Sequence, residues 1–201
     1  MGLNLSKQTV NLSKGQAINL TKVEPGLKKV VVGLGWDPVK SKGFGLFGGS
    51  EDIDCDAFCL ALTNFTKETV YFGHKVGCNG HIRHTGDNLT GDGEGDDEQI
   101  IFDLAGMPKD VTRIVIGVNI YKGRFRHQTF GKIQNAFIRI VNSSNNFEMC
   151  KYNLSGNEFS DCVTVTFGEL FVDTNGEWQF RAVGEPAKAD SIQEYGDRMF
   201  R

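Results

Sequence analysis

The sequence is short of proline, with 4 in 201 residues, and it has no long hydrophobic run. No stretch approaches the roughly 18 apolar residues that a membrane-spanning helix needs. The opening MGLNLSKQTV has no apolar core of the secretory-signal kind. Cys-x-x-C spacing is absent, and the 5 cysteines are an odd number. Both features argue against a disulfide framework and for reduced thiols in a cytoplasm. Also missing are G-x-S-x-G, H-E-x-x-H and a P-loop, and with them the usual signatures of serine hydrolases, zinc peptidases and nucleotide hydrolases. There is no basic stripe interleaved with aromatics, which argues against a nucleic-acid partner. The most informative absence is local. From His84 to Pro108 there is no Lys or Arg, yet Asp87, Asp92, Glu94, Asp96, Asp97, Glu98 and Asp103 all fall there.

What is present reads as strands. LNLSK, VNLSK and INLTK, beginning at Leu3, Val10 and Ile18, alternate apolar residues with Asn and Ser/Thr. Lys28–Trp36 is a β-branched run with a glycine break. Further candidates are Ile53–Leu62, Thr69–Phe72, Gln99–Leu104, Arg113–Tyr121, Ala136–Val141, Phe147–Tyr152, Val163–Phe171 and Trp178–Val183, separated by Gly, Pro and Asn turn signals. Many short strands with little helical pattern predict an all-β fold: a β-sandwich of two mostly antiparallel sheets with few short helices. The tail carries Ser191 and Glu194 at capping-box spacing, with Ile192, Tyr195 and Met199 on one helical face. A Gly/Phe-rich loop at 41–50 offers Phe44, Leu46 and Phe47 as residues that could dip into a partner or a membrane surface.

The chemistry concentrates in HTGDNLTGDGEGDDEQ, His84–Gln99. Calcium takes six to eight oxygen ligands, some of them backbone carbonyls. Glycines let a chain curl so that carbonyls and carboxylates converge, and here Gly91, Gly93 and Gly95 interleave the acids. The loop is not an EF-hand, because Asp97 stands where that loop needs glycine and Asp103 where it needs glutamate. Asp37 and the alternating Asp52, Asp54 and Asp56 are further acids that strand geometry turns to one side, toward solvent or a shared ion. Dense oxygen donors favour calcium, one or two ions, over magnesium. A rival transition-metal cluster would draw on Cys78, His81 and His84, with His74 nearby. His84 beside Asp87 is the one acid–base pair an enzyme reading could use. Lys122, Arg124, Arg126 and Lys132 form a separate basic block that could face an anion.

VGLGWD (Val32–Asp37), DIDCDA (Asp52–Ala57), the acidic loop, FGKIQNAFIRIV (Phe130–Val141), FGELF (Phe167–Phe171) and EWQFRAVG (Glu177–Gly184) resemble the TerD family of bacterial tellurite-resistance and general-stress proteins. The resemblance implies one sandwich domain over 1–184, followed by a tail at 185–201. It implies calcium held by ligands drawn from Asp37, Asp52, Asp54, Asp87, Asn88, Asp92, Glu94, Asp96, Asp97 and Glu98. It also implies no catalytic activity, other stress and tellurite-resistance proteins as partners, and a cytoplasmic setting with the inner face of the membrane as a second location.

Overall fold

The computed structural model describes residues 8–38, 53–86, 95–154 and 157–199. Along the chain run β1 (Val10–Leu12), β2 (Ala17–Asn19), α1 (Leu20–Val23), β3 (Lys29–Pro38), β4 (Cys55–Leu62), β5 (Lys67–Tyr71), β6 (Val76–Gly77), β7 (Ile82–His84), β8 (Glu98–Asp103), β9 (Arg113–Ile120), α2 (Gly123–Arg126), β10 (Ile133–Asn142), β11 (Glu148–Asn153), β12 (Thr164–Val172), β13 (Trp178–Pro186) and α3 (Ile192–Met199). They form two sheets. Sheet A has the order β1-β11-β10-β3-β8-β7-β6, and sheet B the order β2-β13-β12-β9-β4-β5. Every pairing among these strands is antiparallel except β1 on β11.

Alternation along the strands decides what fills the space between the sheets. Sheet A turns Val30, Val32, Leu34, Ile100, Phe102, Ile138 and Ile140 inward, and sheet B turns Cys55, Ala57, Cys59, Ile116, Val118, Val165 and Phe167 inward; all are buried in one core. A smaller cluster lies on the outer face of sheet B, where Phe58, Leu60 and Val115 pack under Ile192 and Tyr195 of α3. The helix starts with a reciprocal cap: Glu194 N donates to Ser191 Oγ at 3.2 Å and Asp190 N donates to Glu194 Oε2 at 2.8 Å. Tyr195 then meets the Phe58 ring edge-on at 5.0 Å.

Two local readings need correction. The INLTK repeat leaves the sheet after Asn19, because Asn19 Oδ1 accepts from Lys22 N at 2.8 Å and caps α1. The sequence reading also passed over β6 and β7, which are two and three residues long and flank a turn with Asn79 at φ 56°. The repeat beginning at Leu3 and the loop 41–50 lie outside the described residues. Among the described residues no helix is long and apolar enough to cross a membrane.

Candidate metal centre

The centre begins with two glycines. In VGLGW, Val32 and Leu34 face the core, so Gly33 and Gly35 open a trough on the outer face of β3. Residues 95–97 lie in it. A Cβ on Gly33 would run into the Asp96 carboxylate, and one on Gly35 into the Phe137 ring and the Gly95 carbonyl. Asp97 N donates to Leu34 O at 2.8 Å, which ties the acidic segment to the strand. Gly33→Val is therefore expected to eject Asp96 and cost about 3 kcal/mol, the upper end for overpacking; a urea midpoint checks it.

Asp96 is clasped, and its side chain is 2% exposed. Arg139 of β10 donates to its two oxygens from Nε at 2.7 Å and Nη2 at 3.0 Å. Gln99 Nε2 adds a third donor at 2.8 Å. The Arg139 guanidinium also reaches Glu148 at 3.1 Å, and the hydrogen bonds it donates to Asp96 and then Glu148 raise its pKa. Sequence reasoning missed Arg139. The available signal was a lone cation on the outward register of NAFIRIV, where an unpaired charge on a half-covered sheet face wants a partner.

Asp97 has a different setting. One of its oxygens accepts from Trp36 N at 2.7 Å. Burial pushes its carboxyl above the ordinary value; the Trp36 N–H pulls the other way, and the nearby charges of Asp37, Glu98 and Asp96 add to the rise. Asp37 accepts from Asn135 Nδ2 at 2.7 Å. Asn135 stands at φ 55° in a bulge where β10 slips register between Gln134 and Phe137, and the bulge is what aims its amide at Asp37. Asp37, Asp97 and Asn135 line a groove of about 670 Å³, together with Trp36, the Gly95 backbone and Lys151.

Glu98 is buried at 1% exposure and acts as a brace between the sheets. It accepts from Ala57 N of β4 at 2.7 Å and lies 3.3 Å from His84 Nε2. His84 Nδ1 accepts from Gly86 N at 3.1 Å, so the ring is the neutral tautomer with its hydrogen on Nε2. That hydrogen is shared between Glu98 and Ala57 O, the latter at 3.2 Å. Asp54 lies half-buried with Arg126 Nη1 at 3.7 Å. Asp56 is 3% exposed, on the face of β4 that also carries Phe58 and Leu60, so it does not turn outward into solvent. Asp52, Asp87, Asn88, Asp92 and Glu94 lie outside the described residues.

Among the described residues no three His, Cys, Asp or Glu side chains are grouped to hold a metal. The rival cluster is dispersed: Cys78 is buried, His81 Nδ1 is 3.4 Å from Asp103, and His84 is committed as above. All five cysteines are free and buried. Burial raises their thiols, Cys78 and Cys150 to about 12 and Cys162 to about 11, and Cys55 and Cys59 well above the ordinary value.

Comparison with known proteins agrees with this architecture. The TerD domain matches residues 8–196. The Bacillus subtilis (strain 168) stress response protein SCP2 is 50% identical over 194 residues, covering 92% of this chain and 96% of that protein. General stress protein 16U of the same organism is 41% identical over 88% of this chain and 90% of its own length. The tellurium resistance protein TerD of Serratia marcescens is 38% identical, with the same two coverages of 88% and 90%. A crystal structure of a Streptomyces coelicolor A3(2) homologue of the telluride resistance protein TerD superposes with TM-score 0.64 at 23% identity, over 84% of this chain and 95% of that one.

Proposed function

This chain belongs to the TerD family of tellurite-resistance and general-stress proteins, and we propose that it works there as a non-catalytic calcium-binding module. One observation carries the proposal. The paired carboxylates Asp37 and Asp97 line a single groove, and Asp97 is raised by burial and by the acids around it. Like charges gathered in a partly dry place are relieved by a hard cation with an oxygen-donor shell. The donors fit that cation: Asp37, Asp97 and the Gly95 carbonyl offer oxygen only, and the described lining residues include neither sulphur nor imidazole. Asp52, Asp54, Asp87, Asn88, Asp92 and Glu94 are proposed to complete one or two calcium sites. Asp96 and Glu98 serve as braces, since their oxygens already hold Arg139, Gln99 and Ala57 N. Calcium would supply charge neutralisation and order to the acidic segment. The surface so fixed would be read by other stress and tellurite-resistance proteins.

The test is calorimetric titration of chelator-treated protein, with magnesium and zinc as controls and the melting temperature followed alongside. Saturable calcium binding is expected, with about 2.7 kcal/mol of added stability at a hundredfold excess over Kd. Asp37→Asn combined with Asp97→Asn should abolish both signals. Absence of calcium heat at millimolar concentration would end this reading.

A second reading, a calcium-dependent membrane-surface module, is favoured by one observation. Phe125 is 85% exposed on α2, flanked by Lys122, Arg124 and Arg126, and an apolar tip among cations suits an anionic bilayer. Sedimentation with anionic vesicles, with and without calcium, separates the two.

A further inference from the structure

We propose that a cavity on the outer face of sheet B, away from the acidic groove, binds a small organic ammonium ion. The cavity holds about 290 Å³ and is lined by Asp56, Tyr71, Phe72, Asn119, Tyr121 and the first turn of α3. That is room for roughly ten waters at about 30 Å³ each, and so for a ligand of the size of choline or butylammonium.

The walls are aromatic and set at right angles. Phe72 stands between Tyr71, at 5.3 Å and 88°, and Tyr121, at 6.4 Å and 87°. In each pair one ring meets the face of the other edge-on, and a ring face left uncovered attracts a cation through its quadrupole, most strongly where water is excluded. Tyr121 already draws two cations to its ring, Lys122 Nζ at 5.0 Å and Arg126 Cζ at 5.4 Å.

The polar end offers acceptors. Asp56 and Asn119 face each other across the β4–β9 ladder, and each is 3% exposed. Asn119 Nδ2 has both hydrogens committed, to Val163 O at 3.2 Å and Thr164 Oγ1 at 2.6 Å. What Asn119 can still give the cavity is its carbonyl oxygen. A carboxylate, an amide oxygen and an aromatic lining together select a positively charged donor with an apolar body, and disfavour anions. At the helix terminus Ser191 Oγ takes the Glu194 amide, and the Glu194 carboxylate, held by Asp190 N, places a negative charge there.

The experiment uses the full chain in chelator, so that it is independent of the calcium reading. Choline and n-butylammonium are titrated by ligand-observed NMR, against the uncharged analogues 3,3-dimethylbutan-1-ol and n-pentanol. The ammonium ions are expected to bind saturably, about tenfold tighter than their neutral counterparts. Tyr121→Leu, at a position 37% exposed and so outside the core, should weaken choline about fivefold with an unchanged melting temperature. Lys122→Gln with Arg126→Gln should strengthen binding by removing rival cations from the same ring. Equal affinity for the neutral analogues, no binding of either ammonium at millimolar concentration, or a Kd unmoved by Tyr121→Leu would each overturn the proposal.

Discussion

Replacing Arg139 with leucine is expected to cost the metal-free chain about 3 kcal/mol, the lower end for breaking a buried ion pair. The lower end applies because the Arg139 side chain is 31% exposed while that of Asp96 is 2% exposed. The loss comes mainly from Asp96. Without the guanidinium, a carboxylate pressed into the Gly33 trough keeps only the Gln99 amide at 2.8 Å. Asp96→Asn in the Arg139→Leu background should therefore recover much of the loss. A double-mutant cycle should return a coupling of at least about 1.5 kcal/mol. Urea midpoints in chelator are the measurement, and a coupling below about 0.5 kcal/mol would mean that the clasp is ornamental.

The same measurement should separate Asp96 from Asp97, two acids that adjoin in sequence. Asp97 has its pKa raised in the fold, chiefly by burial. A carboxyl raised above its unfolded value opposes folding once ionised. The penalty is absent below the unfolded pKa and fully present above the folded one. Asp97→Asn should thus leave the metal-free midpoint unchanged or higher near neutral pH, while removing the response to calcium. Asp96→Asn alone should lower the midpoint with or without calcium, because it weakens the clasp.

That distinction was not legible in the sequence. DGEGDDEQ shows acids and glycines at a spacing that suits a cation, and says nothing about which acid a distant strand will claim. Arg139 is 43 residues from Asp96, and the two meet because β3 lies between β10 and the acidic segment. Glu98 shows the same limit. It alternates correctly into β8, yet its partner is the Ala57 amide of the opposite sheet. What could be read was set locally. Alternation gave the strands and their inward faces. The Ser191–Glu194 spacing gave the cap of α3, because a capping box closes within four residues. The short strands β6 and β7 escaped because two or three residues carry no period; β7 is held in place by β8, and β6 by β7.

Thiol chemistry gives the largest expected effect. With Ellman's reagent at pH 8, the native chain should react at least about a thousandfold more slowly than free cysteine, whereas all 5 thiols should titrate in guanidinium. Two routes are available to the reagent, and each is slow. A thiol raised to about 12, as Cys78 and Cys150 are, is ionised to only about one part in ten thousand at pH 8. Reaction through opening restores an ordinary thiol but waits on a population of about 10⁻⁴ for a domain stable by roughly 5 kcal/mol. Cys55 is held up further by the charges of Asp56, Asp54, Glu98 and Asp97, but desolvation dominates, so calcium at the acidic groove should not release it. One thiol equivalent reacting quickly under native conditions would contradict this. If the protection holds, the folded chain should also fail to reduce tellurite at a rate above free cysteine. The sulphur atoms would then serve as core and not as reductant.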